Sequence, residues 1–492
     1  MFKIEHSFYL SHSLIFLRSS ALTMKNFSIT ATYTDLYQIS MSQVYYLTGK
    51  SQQEAVFDYF FRKLPFGGGY AIFCGLGDLL SILEDIHFTE DDISYLKSLG
   101  LNEQFTTSLR NFKFRGTVYA AREGEVVFPN EPVIRVEASI IEAQLIETIL
   151  LNIINFQSLI ATKAARMRYV AADRKLSEFG LRRSQGVGGY HATRAAVVGG
   201  FDSTSNVKAA RDYGIPVVGT MAHAFIQSYD NELSAFRDFA AHKGENCFLL
   251  VDTYDTLKSG VPNAIIVAKE MASQSRQLAG IRLDSGDLAY LSKQARMMLD
   301  AAGLHQVKIT ASNQLDEYVI KSLMDQQAPI DSFGVGTSLV TGPPDAALDG
   351  VYKLAYADHK PRIKLSENLK KITLPDKKQV YRIVNDAGKF LGADVITQDN
   401  ETMPSVMHHP FEPDKSLDLK GYKQEVLLSK VMENGRITGE PSTLKDAARY
   451  CQARLALLPA EHKRFDNPHI YKVGISENLR QERNQLRNQY KN

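Results

Sequence analysis

A single histidine, His223, stands in the run VVGTMAHAF between a β-branched pair and a helix-like stretch. An imidazole just past a strand end can serve as a general base, an electrophile or a phosphoryl acceptor. Metal ligation would need partners, and His191 and His242 stand at no regular spacing from it. Farther on, IRLDSGD places Arg282, Asp284 and Asp287 within a few residues of one another. Arg282 and Asp284 share strand parity, so both can face one side. An arginine there can grip a carboxylate in bidentate fashion, while either aspartate can bind ribose hydroxyls or a phosphate-carrying Mg²⁺. GVGTSLVTG, residues 334–342, offers Gly336 and Thr337 as a phosphate loop, because glycine lets backbone N–H groups approach an anion. Ser312 and Asn313 of ASNQLDE would form its other wall, and EFGLRR adds Phe179 to stack on a flat ring and Arg182 to reach a phosphate. Each stretch also has an ordinary reading as a turn, a helix cap or a core aromatic. Their recurrence at one kind of position is what calls for a common cause.

That position is the end of a short apolar run. Runs ending in LSEFGLRR, VVGGFDSTSN, VVGTMAHA, FLLVDTYDT, GIRLDSGD, VKITASNQLD and SFGVGTSL are each followed by a helix-like segment. Such alternation predicts a parallel sheet with helical crossovers, and seven units predict a closed or nearly closed barrel. Reactive groups of parallel barrels gather at the carboxyl ends of the strands. Glu178, Arg182, Asp202, Thr220, His223, Arg282, Asp284 and Thr337 are therefore expected around one cavity. Asn313 is expected to cap the helix that follows, with Asp316 completing a capping box.

Outside this region, residues 31–110 read as mostly helical, and residues 114–138 alternate as half-exposed strands do. A helical apolar period then runs for roughly thirty residues. After Pro343 several antiparallel strands are expected to rejoin the N-terminal sheet. The expected fold is thus α/β: an irregular TIM-like barrel plus a discontinuous sheet-containing domain. Its expected divisions are a loose extension at 1–24, an N-terminal part at 25–140, the barrel with its leading helices at 141–345, and a C-terminal part at 346–492. The last stretch, ISENLRQERNQLRNQYKN, reads as a charged, solvated helix or a frayed tail.

Composition narrows the function. In 492 residues, the net charge of +2 argues against nucleic acid or acidic lipid as partners, so a phosphate ligand must be held by a local constellation. No apolar run approaches the ~18–20 residues that span a membrane. Three dispersed cysteines fit a reducing, cytoplasmic setting.

With these motifs assembled, the chain resembles nicotinate phosphoribosyltransferases. YTDLYQISMSQVYY, FDYFFRKLPFGGGYAIFCGL, NFQSLIATKAARMR, EFGLRRSQG, GGFDSTSN, GTMAHAF, LVDTYDT, IRLDSGDL, ASNQLDE and GVGTSLVTG carry the resemblance. It implies transfer of ribose 5-phosphate from phosphoribosyl pyrophosphate to nicotinate, giving nicotinate mononucleotide for NAD salvage. It also implies ATP as co-substrate, Mg²⁺ on the pyrophosphate, a phosphohistidine at His223, and a homodimer. Tyr37, from the partner subunit, and Phe179 would stack on the pyridine ring, with Thr220 and Arg282 near its carboxylate. Arg182, Asp284, Ser312, Asn313, Gly336 and Thr337 would surround the phosphoribosyl part. Nicotinamide phosphoribosyltransferase, with the same architecture, is the nearest alternative reading. A second ring carboxylate, as in quinolinate, would ask for more convergent basic residues. A catalytically silent phosphate-binding homologue is the alternative from another class.

Overall fold

The computed structural model describes residues 29–490 apart from 369, 370, 413 and 440–442; the extension expected at 1–24 lies outside the described residues. The middle third forms six parallel strands: β1 (Lys175–Glu178), β2 (Ser203–Thr204), β3 (Phe248–Leu250), β4 (Gly280–Leu283), β5 (Lys308–Ser312) and β6 (Ser332–Val335). In the VVGGFDSTSN unit the apolar Val197 and Val198 instead end the Gly188–Val198 helix, and the strand is the Ser-Thr pair after them. Their order is β2-β1-β6-β5-β4-β3. Val217 adds one parallel bridge to Thr204 beyond β2. All seven sequence units thus take places in a TIM-like ring, open at the seam between Val217 and β3.

The register explains the interior. Ser177 pairs with Gly334 and Ser203, Ser312 with Gly334, and Thr310 with Ser332 and Arg282. Side chains alternate across a strand, so these small and polar residues share the inner face. Ser177 and Ser203 hydroxyls meet at 2.8 Å, and those of Thr310 and Ser332 at 2.7 Å. The outer face carries Leu176, Leu249, Ile281, Ile309 and Phe333, all buried under the crossover helices. Small residues inside leave room at the mouth, and aliphatic residues outside hold the helices. Each such side chain contributes roughly 1.5–3 kcal/mol on burial.

The Glu147–Ala171 helix joins this barrel to the rest of the molecule. Ile149, Leu150, Ile153 and Ile154 enter the core beneath an antiparallel sheet, whereas Ile160, Ala161, Ala164 and Ala165 enter the barrel core. Lys163 and Arg166, both buried, pair with Glu317 at 2.7 and 2.9 Å and pin the helix to the Glu317–Asp325 crossover. That antiparallel sheet is built from both ends of the chain: Glu54–Phe61 lies between Gly350–Ala357 and Ile134–Ser139, and Thr117–Ala120 pairs with Ser429–Glu433. A third sheet, centred on Phe390–Gln398, is wholly C-terminal.

Two expectations about local structure are corrected. Within the stretch expected to be mostly helical, EAVFDYFF (Glu54–Phe61) is a strand, since its β-branched and aromatic residues suit a pleated surface. The VVG run before His223 is not a buried strand; Val217 is 57% and Val218 38% exposed. Proline 216 has no N–H to donate, so pairing there is limited to Thr204 N with Pro216 O and Val218 N with Thr204 O. Among the described residues no helix is long and apolar enough to cross a membrane.

Candidate active site at the barrel mouth

Arg282 is the hub of the mouth. Standing on β4 and facing inward, it donates from Nε to Ser312 Oγ (2.8 Å), from Nη1 to Thr220 Oγ1 (3.0 Å) and from Nη2 to Asp284 Oδ1 (2.6 Å). Residues from three strand ends are thereby tied to one guanidinium, whose planar fork fixes their directions. Ser312 Oγ also donates to Asp284 Oδ1. The Phe179 ring, half-buried after β1, lies 5.7 Å from Arg282 Cζ. It rests on Gly334, where a Cβ would come within 2.4 Å of the ring. Glycine here is a packing requirement that seats the aromatic face.

His223 opens the Ala222-capped His223–Gln227 helix, its side chain 40% exposed. Nδ1 is 3.1 Å from Thr253 Oγ1, which leaves Nε2 directed between two carboxylates: Asp284 Oδ2 at 3.8 Å and Asp252 Oδ1 at 4.0 Å. Asp252 was not singled out from sequence. Its side chain is 1% exposed, and Oδ2 accepts from Asp284 N (2.8 Å) and Ser285 Oγ (2.6 Å). Oδ1 has no hydrogen-bond partner among the described residues. One signal was available: Asp252 follows β3 at the parity that Asp284 has after β4, because Leu250 and Arg282 are register partners.

The remaining candidates fall into three groups. Gly336 and Thr337 follow β6, with Gly336 beside the Phe179 backbone, and Thr337 is exposed. Arg182 sits on the exposed turn Leu181–Arg183 after β1. Asn313 and Gln314 follow β5 with φ of 74° and 50°, a left-handed pair that non-glycine residues adopt at a cost. Asn313 is therefore not a helix cap; Asp316 fills that place by accepting from the N–H groups of Tyr318 and Val319, leaving the Asn313 side chain exposed at the rim. Asp287 likewise caps its helix, accepting from Tyr290 N at 3.0 Å.

Three expected members are not brought to the mouth within this chain. Glu178 shares parity with Leu176 and points outward; fully buried, it accepts from Gly180 N, Thr193 Oγ1 (2.9 Å) and Thr204 Oγ1 (2.6 Å). Asp202 lies at the amino end of β1, accepting from Leu176 N and from Arg168. Tyr37 stands on the Leu36–Leu47 helix, 48% exposed, and that helix packs on Ile140–Leu145. Burial and the neighbouring Glu147 push its phenol up to about 12, so it stays neutral.

Among the described residues no three histidine, cysteine, aspartate or glutamate side chains form a metal-holding group. Asp252 and Asp284 nevertheless supply hard oxygen donors, one of them unsatisfied, which suits a Mg²⁺ that keeps most of its ligands from water or substrate phosphates.

Comparison with known proteins gives the family. Residues 32–155 match the nicotinate phosphoribosyltransferase N-terminal domain, 174–388 the nicotinate phosphoribosyltransferase family and 377–483 its C-terminal domain. The chain is 45% identical to nicotinate phosphoribosyltransferase of Bacillus subtilis, covering 90% of this chain and 92% of the relative. It is 37% identical to that of Dictyostelium discoideum, covering 92% and 87%. The crystal structure of human nicotinic acid phosphoribosyltransferase superposes with a TM-score of 0.83 at 30% identity, over 92% of this chain and 99% of that one. By these matches the chain belongs to the nicotinate phosphoribosyltransferase family.

Proposed function

We propose that the barrel mouth transfers the phosphoribosyl group of phosphoribosyl pyrophosphate to nicotinate in NAD salvage, with ATP hydrolysed alongside through His223. The observation that carries this reading is the Arg282 cluster: a guanidinium fixed by Thr220, Ser312 and Asp284 beside the Phe179 ring. Arg282 keeps N–H groups beyond those three bonds, which suit a ring carboxylate while the pyridine lies along Phe179. The partner subunit's Tyr37 would cover the opposite face of the ring, which accounts for its exposure here. The pyridine nitrogen brings its own lone pair, so bond formation at C1 needs no general base. The rim residues Arg182, Ser312, Asn313, Gly336 and Thr337 would hold the sugar phosphate in line for attack, and Asp284 the ribose hydroxyls. Mg²⁺, when bound, would neutralise the pyrophosphate leaving group, with Asp252 and Asp284 as its protein ligands.

For the ATP step, His223 Nε2 attacks the γ-phosphorus, the bond to the bridging oxygen breaks and ADP leaves. Water later cleaves the N–P bond and releases phosphate. A phosphoryl group beside two carboxylates meets like-charge repulsion, which a Mg²⁺ held by Asp252 and Asp284 would offset. The decisive assay supplies nicotinate or nicotinamide with phosphoribosyl pyrophosphate and Mg²⁺, with and without ATP. Nicotinate mononucleotide and ATP-dependent phosphate release are expected, and His223→Ala is expected to abolish the phosphate release while slow transfer persists. Preference for nicotinamide would overturn the substrate assignment, and undiminished phosphate release in the variant would overturn the role of His223. Hybrid dimers of an inactive Tyr37 variant and the ATP-uncoupled His223→Ala variant should regain part of the ATP-dependent transfer if sites are shared.

A further inference from the structure

Far along the chain, the Glu477–Gln489 helix carries Arg480, Arg483 and Arg487 at i, i+3 and i+7, one stripe of a helix. The stripe was expected to be solvated. Instead all three side chains are half-buried and line a cavity of about 150 Å³ against the antiparallel sheet, away from the barrel mouth. Asp58 and Lys353, register partners on neighbouring strands, form the facing wall.

The charges in this cavity do not balance among the described residues. Lys378 pairs with Asp58 Oδ2 at 2.8 Å, and Arg480 with Glu477 at 2.9 Å. Among the described residues, Lys353, Arg483 and Arg487 have no carboxylate in ion-pair range. Burial, with the like charges of Arg487 and Arg480, pushes the Arg483 guanidinium down; burial also pushes Lys353 down, with Glu147 opposing and Arg62 and Lys364 adding to it. Hydrogen bonding is incomplete as well. Arg483 donates to Pro410 O and to Asn484 Oδ1, yet its Nε, and Nε of Arg487, are buried without an acceptor among the described residues. On the opposite wall, Asp58 Oδ1 is buried without a donor. Buried polar atoms normally find partners. Here two donors and one acceptor around one cavity lack them.

We infer that this cavity is a second anion site, built for a hydrogen-phosphate group. Its oxygens accept from Arg483, Arg487 and Lys353, and its P–OH donates to Asp58 Oδ1. Arginine forks match phosphate oxygens, and the dianion offsets most of the excess positive charge. The orphan acceptor sets the selectivity: sulfate has the same shape but carries no proton near neutral pH, so it leaves Asp58 Oδ1 unpaired. Bound phosphate bridges the C-terminal helix to the sheet strands Glu54–Phe61 and Gly350–Ala357, and stabilises that junction.

The test is equilibrium dialysis and thermal unfolding of the whole protein with inorganic phosphate, sulfate or ribose 5-phosphate at constant ionic strength. Phosphate should bind saturably and raise Tm more than sulfate does. In Arg282→Ala, ribose 5-phosphate, whose phosphate carries little proton near neutral pH, should respond like sulfate; a response equal to that of phosphate would overturn the role of Asp58 Oδ1. Arg483→Gln with Arg487→Gln should remove the effect, whereas Arg282→Ala, at the barrel mouth, should keep it. Asp58→Asn should bring sulfate up to the level of phosphate; should that variant fail to fold, the arginine variants still decide. Phosphate binding lost in Arg282→Ala but kept in the arginine pair would overturn the proposal and leave the barrel reading intact. Equal response to sulfate in the unaltered protein would overturn the role of Asp58.

Discussion

Asp252 Oδ1 lies 4.0 Å from His223 Nε2, and it is the one oxygen of that buried carboxylate without a hydrogen-bond donor among the described residues. The other oxygen holds the Asp284 backbone and Ser285 in place. Asp252 thus braces the Asp284 loop while presenting negative charge to the imidazole. Asp252→Asn keeps the shape and removes the charge. It should lower kcat by about tenfold to a hundredfold, the worth of one charged contact to the imidazole or to the Mg²⁺ it would help hold, with the nicotinate KM little changed. A steady-state comparison showing unaltered kcat would remove Asp252 from the site.

Arg282→Lys keeps the cation but not the fork that meets Ser312, Thr220 and Asp284 at once. The kcat/KM for nicotinate should fall on the order of tenfold to a hundredfold, the worth of one or more charge-assisted hydrogen bonds. Preference for nicotinate over nicotinamide should shrink with it. Rates for the two substrates, measured side by side, check both statements.

Gly334→Ala would place a methyl group 2.4 Å from the Phe179 ring. The ring must tilt or β6 must shift, an overpacking cost of about 1–3 kcal/mol. Nicotinate affinity should fall more than phosphoribosyl pyrophosphate affinity, because the ring supports the base. Isothermal titration with each ligand separates the two.

Glu123 offers a pH-dependent prediction away from the mouth. Burial disfavours its charge, but Arg194, at 2.8 Å, and the N–H groups of Gly75 and Gly77 outweigh burial and hold the carboxyl at about 2 against an ordinary 4.5. The folded state thus binds this proton less readily than the unfolded state. Its stabilisation, of order 3 kcal/mol, is complete above the ordinary value and is lost as pH falls from there toward about 2. Glu123→Gln should lower the urea midpoint clearly at pH 7 and much less at pH 3. An equal deficit at both would show that packing, not charge, is responsible.

The barrel was legible because its signals are local. Each apolar run ends in its own polar cluster, and all seven units recur in the ring. Strand parity also placed Arg282 and Asp284 on one face, and they are hydrogen-bonded. Parity worked against the Glu178 expectation only because the phase of β1 relative to the barrel axis is not written in LSEFGLRR. Pairing of Ser177 with Gly334 and Ser203 sets that phase and turns Glu178 outward. Asp202 misled for another reason: the VVGG before it closes a helix and the strand begins only at Ser203, so the aspartate lies at the wrong end.

Sequence by itself determined the α/β alternation, the chemical types at the strand ends and the family, since these depend on residue identity and short-range spacing. Tertiary structure alone decided which of those residues meet. Register chose the inward face, the seam exposed the VVG segment beside His223, and the closing sheet turned an arginine stripe into a cavity wall. Such outcomes are set by pairings between residues tens to hundreds of positions apart, and no local pattern encodes a distance in space.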